Sequence, residues 1–145
     1  ALFWYATAGV RIKDSAFNII ENNIVQDNDD GIWTWDGNNN TISNNIIKKN
    51  LKSALWIDGK NNVINNNTIA DNGWGGIISL DCSNSLISNN SISSSAGNGI
   101  SLGMSHHNRI CDNVITKCIA GIVLPVSSYN SDSHRGQTLI FNIYF

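Results

Sequence analysis

Three aspartates follow apolar residues at similar intervals along the chain, in Trp35-Asp36, Ile57-Asp58 and Leu80-Asp81. If the segments that carry them are strands stacked on one another, the carboxylates lie about 5 Å apart. Like charges at that distance repel unless a cation or a hydrogen-bond donor intervenes. Such a row offers oxygen ligands to calcium, or the paired acid and base groups of sugar chemistry. Asp36, Asp58 and Asp81 are therefore the candidates for catalysis and for a calcium site. Trp56 shares a strand face with Asp58 and can stack on a sugar ring. Arg11 and Lys13, at the matching places upstream, can hold a carboxylate of an acidic polymer. Arg11, Lys13, Trp56 and Asp58 form the candidate ligand-binding set. A plainer role competes with these: Asp ends a strand and caps a turn, and Gly follows it in Asp36-Gly37 and Asp58-Gly59.

The elements that must position these residues come from a repeat. Ile20, Ile42, Ile64, Ile87 and Ile110 each precede a pair of Asn or Asp-Asn residues, at spacings of 22, 22, 23 and 23. The second residue of each pair is Asn23, Asn45, Asn67, Asn90 and Asn113. Val25, Ile47, Ile69, Ile92 and Ile115 follow in step, then Asn28, Asn50, Asn72, Ser95 and Cys118. Short alternating apolar segments separated by Asn and Gly read as strands, not helices. A strand-turn unit of this length cannot bury its own apolar face, whereas stacked units can. The expected fold is all-β: a right-handed parallel β-helix of about six coils, with Asn at the corners, where left-handed backbone is tolerated. Stacked Asn amides are expected to hydrogen-bond from coil to coil.

The first strand of each coil has two possible registers. One puts Val10, Trp33, Leu55, Ile78, Ile100 and Ile122 in one inward column, and Ile12, Trp35, Ile57, Leu80, Leu102 and Leu124 in its companion. Every coil then contributes two apolar side chains, so this register is preferred. It leaves Arg11, Thr34, Trp56, Ser79 and Ser101 outside, with Lys13, Asp36, Asp58, Asp81 and Gly103 beside them. The rival register turns Ile32 and Thr34 inward and both Trp residues to water.

Composition narrows the function classes. The 145 residues include 24 Asn, 22 Ile and one Pro, a bias typical of a single repeat domain. A net charge of −2 with nine Lys plus Arg argues against nucleic acid as a partner. The apolar runs at 1–10 and 119–124 are too short to span a bilayer and lack the flanks of a signal peptide. Without an initiator Met, the chain is expected to be a mature product or part of a longer protein. Three cysteines, Cys82, Cys111 and Cys118, suggest no disulfide framework. Sequons such as Asn39-Asn40-Thr41 arise automatically from an Asn-rich repeat. After Leu124 the pattern is interrupted, and 127–137 reads as an inserted loop before Leu139, Asn142 and Tyr144 resume the columns of Ile110, Asn113 and Ile115. The apolar start, Leu2-Phe3-Trp4-Tyr5, has no helix to cap it.

The Asn-x-Ile-x-Asn-Asn-x-Ile pattern, followed by Gly-Ile-x-Leu, resembles the repeat of right-handed parallel β-helix proteins. Over about residues 9–125 it is similar to the NosD-like, pectin-lyase-like and carbohydrate-binding members of that group. The resemblance implies the scaffold, and several unrelated activities occur on it. The hydrolase motifs it brings to mind are incomplete: Arg11-Ile12-Lys13 is present, but Asp29-Asp30 comes after it and Gly-His-Gly is missing. The Asp-Pro-His-Asp motif of epimerases is also missing. NosD-like proteins imply copper, for which Met104, His106, His107 and Cys111 are the soft ligands within reach of one another in sequence. A turn at His106-His107 with packed cysteines is the simpler account. The expected function is an extracellular, surface or periplasmic module that recognises polysaccharide without catalysis. The alternatives are part of a polysaccharide lyase, hydrolase or epimerase, and a structural module that associates end to end through uncapped strand edges.

Overall fold

The structure, a computed structural model, describes residues 8–93, 95–128, 130 and 139–141. It is a parallel β-helix, as the repeat predicts. The first sheet stacks Ala8–Lys13, Asp30–Trp35, Ser53–Ile57, Gly75–Ser79, Asn98–Leu102 and Ile122–Val123 in sequence order. The second stacks Ile19–Glu21, Thr41–Ser43, Val63–Asn65, Leu86–Ser88 and Arg109–Cys111. The third runs from Ile24–Gln26 through Ile46–Lys48, Thr68–Ala70, Ser91–Ser93 and Val114–Thr116 to Leu139–Phe141. A short pair, Gly59–Lys60 and Cys82–Ser83, lies on the connection between the first two sheets. Every strand pairing is parallel, and the core is a stack of aliphatic columns such as Ile42, Ile64 and Ile87.

Asparagine specifies the corners in two ways. The first residue of each pair is exposed and left-handed, with φ of 60° at Asn22, 57° at Asn44, 54° at Asn66 and 55° at Asn89. Asn takes this backbone at less cost than most residues. The second residue forms a ladder and is buried in every coil after the first. Asn67 Oδ1 accepts from the Asn45 backbone N–H at 3.0 Å and from Asn45 Nδ2 at 3.1 Å. In turn Asn67 Nδ2 donates to the Ile42 carbonyl at 2.9 Å and to Asn90 Oδ1 at 3.0 Å. A further ladder was not singled out from the sequence: Asn18, Asn40, Asn62, Ser85, Asn108 and Asn130, linked by backbone N–H donors at 2.8 to 2.9 Å.

The first sheet adopts the rival register in the second coil, and the fourth coil is shifted as well, which neither register anticipates. Ile32 pairs with Val10 and Leu55, and Thr34 with Ile12 and Ile57, so Ile32 and Thr34 are buried. Ile77 and Ser79 replace the expected Ile78 and Leu80 in the same way. Trp33, Trp35, Ile78 and Leu80 consequently belong to the outer face. The hydroxyls at the inward positions find partners: Thr34 Oγ1 donates to the Asp58 carbonyl at 3.3 Å, and Ser79 Oγ donates to Asp58 Oδ1 at 3.4 Å. A one-residue slip reverses every side chain of a strand, and the asparagine ladder fixes where the slip falls. Ile12, Thr34, Ser79 and Leu102 each stand six residues before their ladder residue (Asn18, Asn40, Ser85, Asn108), whereas Ile57 stands five before Asn62. The third coil is thus one residue short on this connection, and Gly59 there takes a φ of 119°.

The end of the chain is also re-registered. Ser127, Ser128 and Asn130 continue in step 22 residues after Ser105, His106 and Asn108. Leu139 pairs with Val114, not with Ile110, and Ile140 takes the place beside Ile115. The extra residues therefore fall after Asn130, and 131–138 lie outside the described residues, as do Asn142, Tyr144 and the apolar start at 1–7. No helix among the described residues is long and apolar enough to cross a membrane.

Candidate functional site

With this register, the outer face of the first sheet carries two columns. One runs Arg11, Trp33, Trp56, Ile78, Ser101 and Val123. In the other, Lys13 pairs with Trp35. The strand that follows brings Asp58 beside Trp35, because Ile57 is opposite Thr34. Arg11 places its guanidinium carbon 4.8 Å from the centre of the Trp33 ring, a cation–π geometry. Trp33 and Trp35 lie with ring centres 5.7 Å apart at 38°. Trp35 is 47% exposed, and Trp33 and Trp56 are half-buried. Three indoles and two cations thus share one surface.

Asp58 fixes part of that surface. Its Oδ2 accepts from Trp56 Nε1 at 2.8 Å, and its Oδ1 accepts from the Leu80 backbone N–H at 3.1 Å and from Ser79 Oγ. The short third coil explains the geometry. The Gly37 N–H donates to the Asp58 carbonyl, so Trp35 and Asp36 together stand opposite Asp58, as in a β-bulge. Leu80 and Asp81 do the same on the other side, because Gly59 N–H donates to the Asp81 carbonyl. The evenly stacked row expected of Asp36, Asp58 and Asp81 is therefore not formed. Asp36 is exposed at a left-handed turn with φ 50°, Asp81 is exposed, and the Asp58 carboxylate is bonded within the sheet. Among the described residues no three His, Cys, Asp or Glu side chains come together to hold a metal, so calcium gains no support. Lys13 pairs with Asp14 at 3.8 Å, both side chains being well exposed.

Two features escaped the sequence reading. Trp74, 58% exposed, lies at the corner before the fourth strand of the first sheet, with Lys52 Nζ 5.7 Å from its ring centre and 3.7 Å from Asp29 Oδ2. Asp30 is buried at the start of its strand. Burial pushes its carboxyl above the ordinary range, while the Ser53 N–H and Lys52 pull the other way. The signal for both was the strand start, once the register is known. Trp33 Nε1 is buried without a hydrogen-bond partner, in contrast to the clamped Trp56.

A family profile described as "Periplasmic copper-binding protein (NosD)" matches residues 3–142. The chain belongs to the NosD family. Comparison with curated proteins and with solved structures returns no match. NosD membership agrees with the expected β-helix and with the expected extracellular, surface or periplasmic location.

The copper in the NosD description calls for a test against the soft donors. Met104 is exposed at a left-handed corner with φ 46°, and His107 takes another with φ 57°. His106 Nδ1 accepts from the Ser128 backbone N–H at 3.2 Å and lies 2.9 Å from Ser128 Oγ. Cys111 is buried in the second sheet. Cys82 lies in the core, where burial pushes its thiol up to about 11, and burial raises Cys118 as well. Ligation uses the thiolate, which burial disfavours at Cys82 and Cys118. Among the described residues, the turn histidines and the buried Cys111 are not brought together with a third His, Cys, Asp or Glu as a copper centre.

Proposed function

We propose that this NosD-family β-helix is a non-catalytic periplasmic module that binds polysaccharide on the outer face of its first sheet. The observation that carries the reading is the row of Trp33, Trp35 and Trp56 on adjacent strands, with the Trp56 indole held by Asp58. Rigid aromatic side chains offer large apolar contact with a polar edge at little conformational cost. Sugar rings present the complementary surface, with C–H groups on a flat face and hydroxyls at the rim. Catalysis is disfavoured because Asp58, the central carboxylate, has both oxygens engaged in the sheet.

Titration calorimetry against a panel of oligosaccharides tests the reading. Trp56→Ala and Trp35→Ala are each expected to weaken binding about tenfold, equivalent to about 1.4 kcal/mol. Binding that survives both substitutions unchanged removes this face from consideration.

A further inference from the structure

Resting on that reading, we infer that the glycan taken by this face is acidic, with a carboxylate held at the first coil, beside the indoles of the second. Charge is distributed unevenly along the two outer columns. Arg11 and Lys13 stand at the N-terminal end, the indoles follow, and Ile78 and Leu80 come next. The carboxylate that would repel an anionic ligand from the centre, Asp58, is turned to Trp56 Nε1 and to the Leu80 N–H. Arg11 is exposed and lies over Trp33 at 4.8 Å, so its guanidinium sits beside a stacking surface. There it can offer paired N–H donors to a planar carboxylate. Lys13 has Asp14 as its neighbour at 3.8 Å, but both are solvated. An exposed pair of that kind contributes little, and a bound carboxylate can replace it. Asp14 and Asp36 lie on the adjoining corner with left-handed backbone and not on the strand face. A sugar acid spans the combination: the ring lies on an indole and the carboxylate reaches the cations.

The test compares an oligogalacturonate with a neutral cello-oligosaccharide of equal length, by calorimetry at low and high salt. The acidic chain is expected to bind at least about tenfold more tightly at low salt. Exposed charges are screened beyond about 10 Å at 0.1 M ionic strength, so that preference is expected to shrink as salt rises. Arg11→Gln combined with Lys13→Gln is expected to remove the preference, bringing the affinity for the acidic chain to that of the neutral chain measured on the same variant; both residues are exposed, and the salt series needs no variant. Equal affinity for the two chains overturns the inference while leaving polysaccharide recognition standing. A preference that persists in the double variant overturns it as well. If neither glycan binds, both readings are overturned together.

Discussion

Asn67→Ala is expected to lower the free energy of unfolding by about 4 kcal/mol, since each buried polar group left unpaired costs about 1–3 kcal/mol. The Asn67 side chain serves three coils at once. Its oxygen receives the Asn45 N–H and amide, and its nitrogen reaches the Ile42 carbonyl and Asn90 Oδ1. Truncation strands the Asn45 N–H in the interior and takes the side-chain donor from the Ile42 carbonyl, whereas Asn90 Oδ1 keeps the Asn67 N–H and Asn45 Nδ2 keeps the Ile20 carbonyl. The neighbouring Asn66 is a control. It is exposed with φ 54°, so Asn66→Ala is expected to cost only about 1 kcal/mol, the penalty of left-handed backbone. Urea unfolding followed by far-UV circular dichroism reads both. Similar losses in the two variants would mean that the ladder contributes no more than the turn.

Asp58 separates fold from face. Asp58→Ala leaves the Leu80 N–H without its side-chain acceptor and releases the Trp56 indole, and is expected to cost about 2 kcal/mol. Asp58→Asn retains an oxygen for the Leu80 N–H but cannot accept from Trp56 Nε1 as well. It is expected to keep most of the stability and to weaken glycan binding about fivefold, a change of about 1 kcal/mol. Calcium is expected to leave the melting temperature of the native protein unchanged. A calcium-dependent rise that Asp58→Asn abolishes would restore the carboxylate to a metal role.

The scaffold was legible because its columns repeat: a residue type recurring every 22 or 23 positions has the same job in each coil. The Asn23 and Asn28 columns stood out, and their ladders are present. Apolar filling alone favours two apolar side chains per coil over one with Thr34 or Ser79, and so selects the wrong first-sheet register in the second and fourth coils. Hydrophobicity was the wrong arbiter there. Trp33 and Trp35 are longer than the aliphatic columns they would have joined, and the hydroxyls of Thr34 and Ser79 have partners at Asp58. The column of Asn18, Asn40, Asn62, Ser85 and Asn108 points to the slip, since counting back six from Asn40 and Ser85 selects Thr34 and Ser79, although the same count from Asn62 lands on the outward Trp56. The site was therefore only half visible. Arg11, Lys13, Trp56 and Asp58 lie on one face as read from sequence, whereas the two indoles beside them were assigned to the core. Asp58 was legible as a strand-face residue. Its bonds were not, because they depend on a coil that is one residue short.

Trp33, Trp35 and Trp56 are proposed to form one recognition surface. Nitrogen-15 spectra of the indole N–H groups test it most directly, with assignments from single Trp→Phe variants, during titration with an oligogalacturonate. Saturable shifts of the Trp33, Trp35 and Trp56 signals are expected, with Trp74 left in place because it sits on a separate corner beside Lys52. Shifts confined to Trp74, or a ligand that binds and moves none of the three, would contradict it.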